Sequence, residues 1–238
     1  MEIEKSSGEI KEEKEGIESE ELKKKSKDID KKIGMFILIV VIAIIVAITV
    51  IAVRRTLTSP TFKYEGLTVN RFVLEGTNAT FYSMRTPVKI YGNVKIYDIL
   101  LRNDPRKLQD IEVSEGIQEK ILAPKPDQFY FTFDPDAPEK GYIGIAMAEV
   151  SRVLGTYNYA ILQIPVTGAS TRPIEGFNES ITCEDSSNKK VVVLFQYANS
   201  TEILVNESYE RCIILQGKDG NEIIRAADKL VLEILGIG

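Results

Sequence analysis

The sequence predicts an α+β protein in which a single N-terminal transmembrane helix precedes a mixed-sheet domain. Three observations lead to this fold class. An uncharged apolar run extends from Ile33 to Val53. After it, short runs rich in β-branched and aromatic residues are typical of β-hairpins. The second half of the chain instead contains two strand–loop–helix units, which are typical of a mixed sheet with helices packed on one face.

The apolar run is long enough to cross a bilayer. As a helix, its 21 residues would span about 31 Å, close to the thickness of the hydrocarbon core. A signal peptide has a shorter apolar region and a cleavage site of small residues, whereas this run continues into Arg54 and Arg55. We therefore expect a signal-anchor helix over residues 33–53, a linker over residues 54–60 and a domain over residues 61–238.

Charges and motifs predict the side of the membrane on which each part lies. Six lysines lie just before the apolar run, at Lys23, Lys24, Lys25, Lys27, Lys31 and Lys32. Because the more positive flank of a single span is cytoplasmic, we expect the N-terminus inside the cell and the C-terminal domain outside. The two cysteines, which fit an oxidising exterior, and four Asn-x-Ser/Thr sequons all follow the run. The predicted glycosylation sites are Asn78, Asn178, Asn199 and Asn206.

A pilin-type leader is an alternative interpretation of the same region. Cleavage after Gly34, within Lys-Lys-Ile-Gly-Met, would leave a mature chain that begins at Met35. The preceding tail, residues 1–32, is rich in Glu and Lys. The tail has one apolar residue per heptad, whereas a stable coiled coil needs apolar residues at both the a and the d positions. We therefore expect a disordered or transiently helical cytoplasmic tail, with docking to a cytoplasmic partner as the alternative role.

Strand-like patterns dominate the first half of the domain. The predicted strands there are Asn70–Leu74, Ala79–Met84, Val88–Tyr91 and Val94–Leu101. Gly92 and Asn93 separate the last two strands and suit a two-residue hairpin turn with glycine first. Ser114 is a candidate N-cap for a short helix through Leu122, which Pro124 would end.

Strands and helices follow one another in the second half. The predicted strands are Phe129–Phe133, Tyr159–Val166, Val191–Tyr197, Glu202–Val205 and Cys212–Gln216. An amphipathic helix follows the first and the last of these strands. Before each helix stand two acidic residues three positions apart, Asp136 with Glu139 and Asp219 with Glu222. This is the spacing of a capping box, so both pairs are expected to cap the helices.

Several short motifs occur in a definite order along the domain. They are Glu65-Gly66-Leu67, Leu101–Arg106, Phe131–Pro135, Arg172-Pro173-Ile174, Cys212–Gly217 and Ala226–Leu230. This order resembles a group of uncharacterised single-span extracytoplasmic proteins of archaea and covers most of residues 64–236. The resemblance implies a secreted domain with a paired cysteine and no particular activity. In this group, a first cysteine follows the position of Pro173 more closely. In this chain, the segment Glu175–Thr182 lengthens that spacing.

The sequence lacks the motifs of several classes of active site. The chain has no histidine, which excludes Ser-His-Asp and Cys-His nucleophile systems and His-Glu-x-x-His zinc sites. Glycine motifs for phosphates and dinucleotides do not occur either, and no cofactor is predicted. A net charge of −5 without a basic patch after the apolar run argues against nucleic-acid binding. Cys183 and Cys212 are too distant in sequence for a redox Cys-x-x-Cys motif, and we expect a structural disulfide.

Three carboxylates remain as candidates for chemistry. Asp134, Asp136 and Glu139 lie between a predicted strand and a predicted helix, where they would suit a Ca²⁺ site or an acid/base pair. A structural role is the favoured interpretation, because an Asp-Pro turn and a cap at Asp136 account for all three. They are therefore weak metal candidates, and no catalytic residue is predicted.

These observations favour a membrane-anchored extracytoplasmic domain with a binding or structural role in the cell envelope. The expected partners are the lipid bilayer and an envelope protein or glycan. One alternative is a carboxylate-dependent hydrolase of envelope glycans or peptides, which a deep pocket with two carboxylates would favour. The other is a pilin-like assembly subunit.

Overall fold

The computed structural model describes Met35 and residues 37–51, 60–77, 79–90, 92–156, 160–177 and 179–237. The chain divides into two units, with the boundary between Ser59 and Pro60. The predictions for the tail, residues 1–32, and for cleavage after Gly34 lie outside the described residues. Nearly all of the predicted linker lies outside them as well.

The prediction of a transmembrane helix over Ile33–Val53 is wrong. Met35 and residues 37–51 are helical (α1), but no helix among the described residues is long and apolar enough to cross a membrane. The described residues 37–51 account for about 22 Å of helix, less than a hydrocarbon core of about 30 Å. The rest of the fold class, an α+β domain with a mixed sheet, is confirmed by the second unit.

A four-stranded antiparallel sheet forms the first part of the second unit. Its strands are β1 (Thr61–Tyr64), β2 (Leu67–Val73), β3 (Thr80–Ile90) and β4 (Asn93–Leu101), in the order β1-β2-β3-β4. The two strands predicted over residues 79–91 are one strand, β3. Pro87 does not interrupt it because β2 pairs with β3 only as far as Met84. No neighbour on that side therefore needs the N–H that proline lacks.

The β3–β4 hairpin is present, but its turn differs from the prediction by one residue. Ile90 lies opposite Asn93, so Asn93 belongs to β4 and not to the loop. Gly92 has a φ of +85°, which only glycine adopts without strain. The glycine therefore directly precedes β4 instead of sharing the turn with Asn93.

A six-stranded mixed sheet forms the second part. Its strands are β5 (Glu112–Val113), β6 (Gln128–Phe133), β7 (Val166–Gly168), β8 (Lys190–Tyr197), β9 (Glu202–Val205) and β10 (Cys212–Gly217). The order across the sheet is β5-β9-β10-β8-β6-β7. Strands β7, β6, β8 and β10 run parallel, whereas β9 is antiparallel to β10. This arrangement confirms the predicted mixed sheet.

The predicted strand Tyr159–Val166 is wrong except for its last residue, which begins β7. Residues 160–165 have no regular structure, although Ala160, Ile161, Leu162 and Ile164 are buried. The backbone N–H groups of the latter three donate to the carbonyls of Val153 and Leu154. These carbonyls end a helix and have no partner within it. The apolar run therefore packs in the core while it terminates a helix.

Three helices complete the unit: α2 (Ile117–Leu122), α3 (Lys140–Leu154) and α4 (Gly220–Leu235). The apolar faces of α3 and α4 and alternate residues of β6, β8 and β10 belong to one hydrophobic core, which also includes buried residues of the four-stranded sheet. This arrangement agrees with the predicted layer of helices against a sheet. On the opposite face of the sheet, Val192 and Cys212 pack against Ala169 and Ile181 from the segment between β7 and β8.

The edges of the two sheets differ in length. The six-stranded sheet ends in β5, which has two residues, and in β7, which has three. The four-stranded sheet ends in β1, which has four residues, and in β4, which has nine. The side chains of Val94 and Ile96 on β4 are 62% and 70% exposed. Near the C-terminal end of β4, the Arg152 guanidinium donates to the Leu100 carbonyl at 2.9 Å and covers the strand edge there.

Candidate functional site

A groove of about 510 Å³ lies at the end of the six-stranded sheet where β6, β8 and β10 begin. Three segments form its walls. They are α2 with the residues that follow it, represented by Glu119–Pro124, the turn Ser186–Asn188 before β8, and the turn Ser208–Arg211 before β10. Most of the lining side chains are polar. The volume is within the range of about 300–1,000 Å³ that is typical of small-molecule sites.

Arg211 joins the three walls of the groove. Its guanidinium donates to the carbonyls of Ala123 at 2.9 Å, Pro124 at 3.0 Å and Asn188 at 3.3 Å. The residue is buried, so these carbonyls replace the water that its charge would otherwise bind. Arginine suits this position because its planar fork presents several N–H donors at once. Arg211 therefore acts as a structural support for the groove.

The predicted disulfide between Cys183 and Cys212 is confirmed, with an S–S distance of 2.00 Å. Cys183 lies three positions before Ser186, and Cys212 directly follows Arg211. The bond therefore links the two turns that form adjacent walls of the groove. A covalent link and the hydrogen bonds of Arg211 together hold the walls in one arrangement.

An ion pair closes the groove on the side of α2. Lys120 Nζ lies 2.7 Å from Glu210 Oε2. The hydrogen bond and the positive charge of Lys120 hold the pKa of Glu210 below its ordinary value. Glu210 is therefore a carboxylate at neutral pH and offers only hydrogen-bond acceptors.

A second polar cluster lies inside the core, where α4 meets the end of β4. Asp228 is fully buried. One of its oxygens accepts hydrogen bonds from the Arg102 N–H at 3.0 Å, from the Asn103 N–H at 2.8 Å and from Asn103 Nδ2 at 2.8 Å. Burial raises the pKa of Asp228 to about 6, although these donors and the charge of Arg152 oppose the rise. Asp228 thus connects a helix of the six-stranded layer to the four-stranded sheet.

Glu149 on α3 forms an ion-pair cluster next to Asp228. Its buried carboxylate accepts from Arg102 Nε at 2.6 Å and also pairs with Arg152. Glu149, Arg152 and the exposed Asp98 line a cleft of about 190 Å³. Asp98 is held by Arg85, whose hydrogen bond lowers the pKa of that carboxyl. Both carboxylates of the cleft are therefore occupied by arginines.

The acidic turn after β6 is arranged differently from the prediction. Helix α3 begins at Lys140, and Glu139 precedes it in the left-handed region with no side-chain cap. Asp136 is not a cap, because the helix starts too late for its side chain to reach the first N–H groups. Instead, Asp136 pairs with Arg172, and Asp134 lies 3.5 Å from the same guanidinium. The Glu139 carboxylate accepts from the Gly220 N–H at 3.1 Å and so supports the start of α4.

The second predicted cap is confirmed in part. Asp219 Oδ1 accepts from the N–H groups of Asn221 at 2.8 Å and Glu222 at 3.0 Å. Glu222 does not complete a capping box and pairs with Arg225 instead. The predicted cap at Ser114 is wrong, because its hydroxyl accepts from the Val205 N–H on β9.

Substitutions at these two acidic positions should have unequal effects. We expect Asp219→Ala to lower the free energy of unfolding by about 0.5–2 kcal/mol, because it removes a helix cap. Asp136→Ala should cost less than about 1 kcal/mol, because its ion pair with Arg172 is exposed. Addition of Ca²⁺ should shift the melting temperature of the wild type little, since Arg172 already pairs with Asp134 and Asp136. Equal losses for the two variants, or a large Ca²⁺ shift, would contradict this assignment.

Of the weak metal candidates, Asp134 and Asp136 lie together at Arg172, whereas Glu139 points to α4. No three acidic or cysteine side chains within the described ranges are placed to hold a metal ion.

Two of the four predicted glycosylation sites belong to the described part of the chain. Asn199 is exposed in the turn between β8 and β9. Asn206 is half-buried, and its Oδ1 accepts from the N–H groups of Ser208 and Tyr209, both at 3.0 Å. Asn78 and Asn178 lie outside the described residues. Glycosylation at any of the four stays a prediction.

Reasoning from the sequence missed both the groove and the buried cluster. The sequence contained one signal for the groove, because a bond between Cys183 and Cys212 also brings together the polar residues next to each cysteine. The sequence also contained a signal for the buried cluster. Asp228 interrupts the apolar face of a helix whose other inward positions include Ile224 and Val231. Comparisons with protein-family models, curated proteins and solved structures found no match.

Proposed function

We propose that residues 60–237 form an extracytoplasmic binding domain of the cell envelope whose ligand occupies the groove beside the disulfide. The observation that carries this proposal is the Cys183–Cys212 bond, which joins two walls of the groove. Structural disulfides form and persist mainly in oxidising compartments. Membrane attachment is not part of the proposal, because no helix in the described ranges is suited to cross a membrane.

A binding role is better supported than the alternative of a carboxylate-dependent hydrolase. Such an enzyme needs one carboxyl group that stays protonated near the working pH so that it can act as an acid. In the cleft between β4 and α3, Glu149 is paired with two arginines, and Arg85 lowers the pKa of Asp98. Asp98 therefore favours the charged form, and the Glu149 carboxylate is engaged in ion pairs with two arginines. The pilin-like alternative depends on processing at Gly34, which lies outside the described residues.

The oxidation state of the cysteines in intact cells tests the proposed compartment. Cells that express the full chain are quenched in acid, and free thiols are then alkylated with a polyethylene-glycol maleimide. We expect no addition before reduction and two additions after it. The Cys183→Ser variant is the control, since it leaves one thiol that should react without reduction.

A second readout tests accessibility from outside the cell. Lys189 is 80% exposed and should react with a membrane-impermeant amine reagent on intact cells as fully as in lysed cells. Two thiol additions without reduction, together with labelling only after lysis, would overturn the extracytoplasmic location.

A further inference from the structure

We propose that the groove binds a neutral, hydroxyl-rich ligand, namely a short oligosaccharide. This inference rests on the proposed function for its setting in the envelope, whereas the chemistry of the ligand follows from the groove itself. A volume of about 510 Å³ has room for a small number of sugar rings.

The charges of the groove favour a neutral ligand. Its lining includes two acidic residues, Glu119 and Glu210, and two basic residues, Lys120 and Arg211, so the formal charges cancel. Lys120 and Glu210 neutralise each other across the groove at 2.7 Å. The guanidinium of Arg211 is directed to three backbone carbonyls. A phosphate or sulfate would therefore meet no cation that is available to replace its water.

The polar groups of the groove match the hydroxyl groups of a sugar. Ser186, Ser187, Asn188 and Ser208 are among the lining residues, and their hydroxyl and amide groups can both donate and accept hydrogen bonds. Sugar hydroxyls have the same dual character, so they can exchange their water for these groups. Tyr209 lines the groove while it also packs against the apolar cluster that contains Cys212, and its ring has an apolar face and a polar end. Such a ring can pack against the C–H groups of a sugar while its hydroxyl stays hydrated.

The groove is also held in shape before a ligand arrives. The disulfide joins the segments that contain Ser186–Asn188 and Ser208–Arg211, and Arg211 joins both to the end of α2. Ligands that bind by many weak hydrogen bonds gain from such a site, because little ordering of the protein opposes binding. A neutral oligosaccharide is a ligand of this kind.

Titration of the purified, oxidised protein with neutral trisaccharides tests the inference. The probes are maltotriose, mannotriose and N-acetylated chitotriose at millimolar concentrations, with binding followed by calorimetry and saturation-transfer NMR. We expect at least one of them to bind. The double variant Ser187→Ala/Asn188→Ala should raise its Kd about tenfold, since it removes two hydrogen-bonding side chains from the groove.

Lys189→Ala is the matched control. Its side chain belongs to the same turn and pairs with Asp127 instead of lining the groove. Its Kd should equal that of the wild type, and circular dichroism should show that both variants are folded. Failure of all three probes to bind, or equal affinity of the double variant and the wild type, would overturn the inference. Binding of inorganic phosphate in preference to the sugars would also overturn it.

These outcomes are independent of the compartment. Titration uses purified protein, so a failure to bind sugars would remove the ligand assignment and leave the thiol and labelling results in intact cells unchanged. Conversely, reduced cysteines in cells would overturn the extracytoplasmic location while the groove could still bind its sugar in the oxidised protein.

Discussion

Reducing the Cys183–Cys212 disulfide should lower the free energy of unfolding by about 3–4 kcal/mol. The bond closes a loop with a sequence separation of 29, and the loss of chain entropy in the unfolded state gives a stabilisation of that size. Denaturant unfolding of the oxidised and reduced protein measures the difference. At neutral pH this loss should exceed the loss caused by Asp219→Ala, which removes only a helix cap.

The Cys183→Ala/Cys212→Ala variant serves as the control for reduction. It should unfold at nearly the same denaturant concentration as the reduced wild type, and reductant should not change its stability. A difference below about 1 kcal/mol between the oxidised and reduced wild type would contradict this prediction, because the cross-link would then not restrict the unfolded chain as the entropy argument requires.

Acidification should stabilise the protein through Asp228 by about 3 kcal/mol between pH 7 and pH 3. Burial raises the pKa of this carboxyl from 3.8 to about 6, and that difference corresponds to about 3 kcal/mol. A raised pKa means that the folded state prefers the neutral acid. The stabilisation is therefore fully present below pH 3.8 and is lost as the pH rises through about 6.

Comparison with Asp228→Asn isolates this contribution from the other carboxyl groups. The difference in unfolding free energy between the wild type and the variant should change by about 3 kcal/mol over this pH range. Asp98→Asn is the matched control, because Arg85 lowers the pKa of Asp98 and its contribution falls at lower pH. Parallel pH profiles of the wild type and Asp228→Asn would show that the fold does not favour the neutral acid.

Much of the second unit was predictable because its apolar residues follow clear periods. The alternation in Phe129–Phe133 and the helical spacing before Gly236 correspond to β6 and α4. Predictions failed where an apolar run had another use. Ile161, Leu162 and Ile164 are apolar because they are buried, but their N–H groups donate to the last carbonyls of α3. The run at residues 33–53 indicated a membrane span, whereas the described helix covers a shorter stretch.

The site was less predictable than the fold, because it depends on contacts between distant segments. The spacing of Asp136 and Glu139 suggested a cap, yet the long-range partners Arg172 and Gly220 determine what these side chains do. Arg211 gave no local signal at all, since its role requires the carbonyls of Ala123 and Asn188. Only the two cysteines carried long-range information in the sequence, and their pairing was predicted.

The unequal sheet edges have a consequence for how the protein behaves in concentrated solution. Open strand edges are templates for pairing with other chains, and short edge strands limit this risk. The six-stranded sheet is protected by the short strands β5 and β7, whereas the nine-residue β4 presents Val94 and Ile96 beside an edge that Arg152 covers near Leu100. Self-association should therefore begin at β4, and a charged residue in place of Ile96 should raise solubility while the core remains intact.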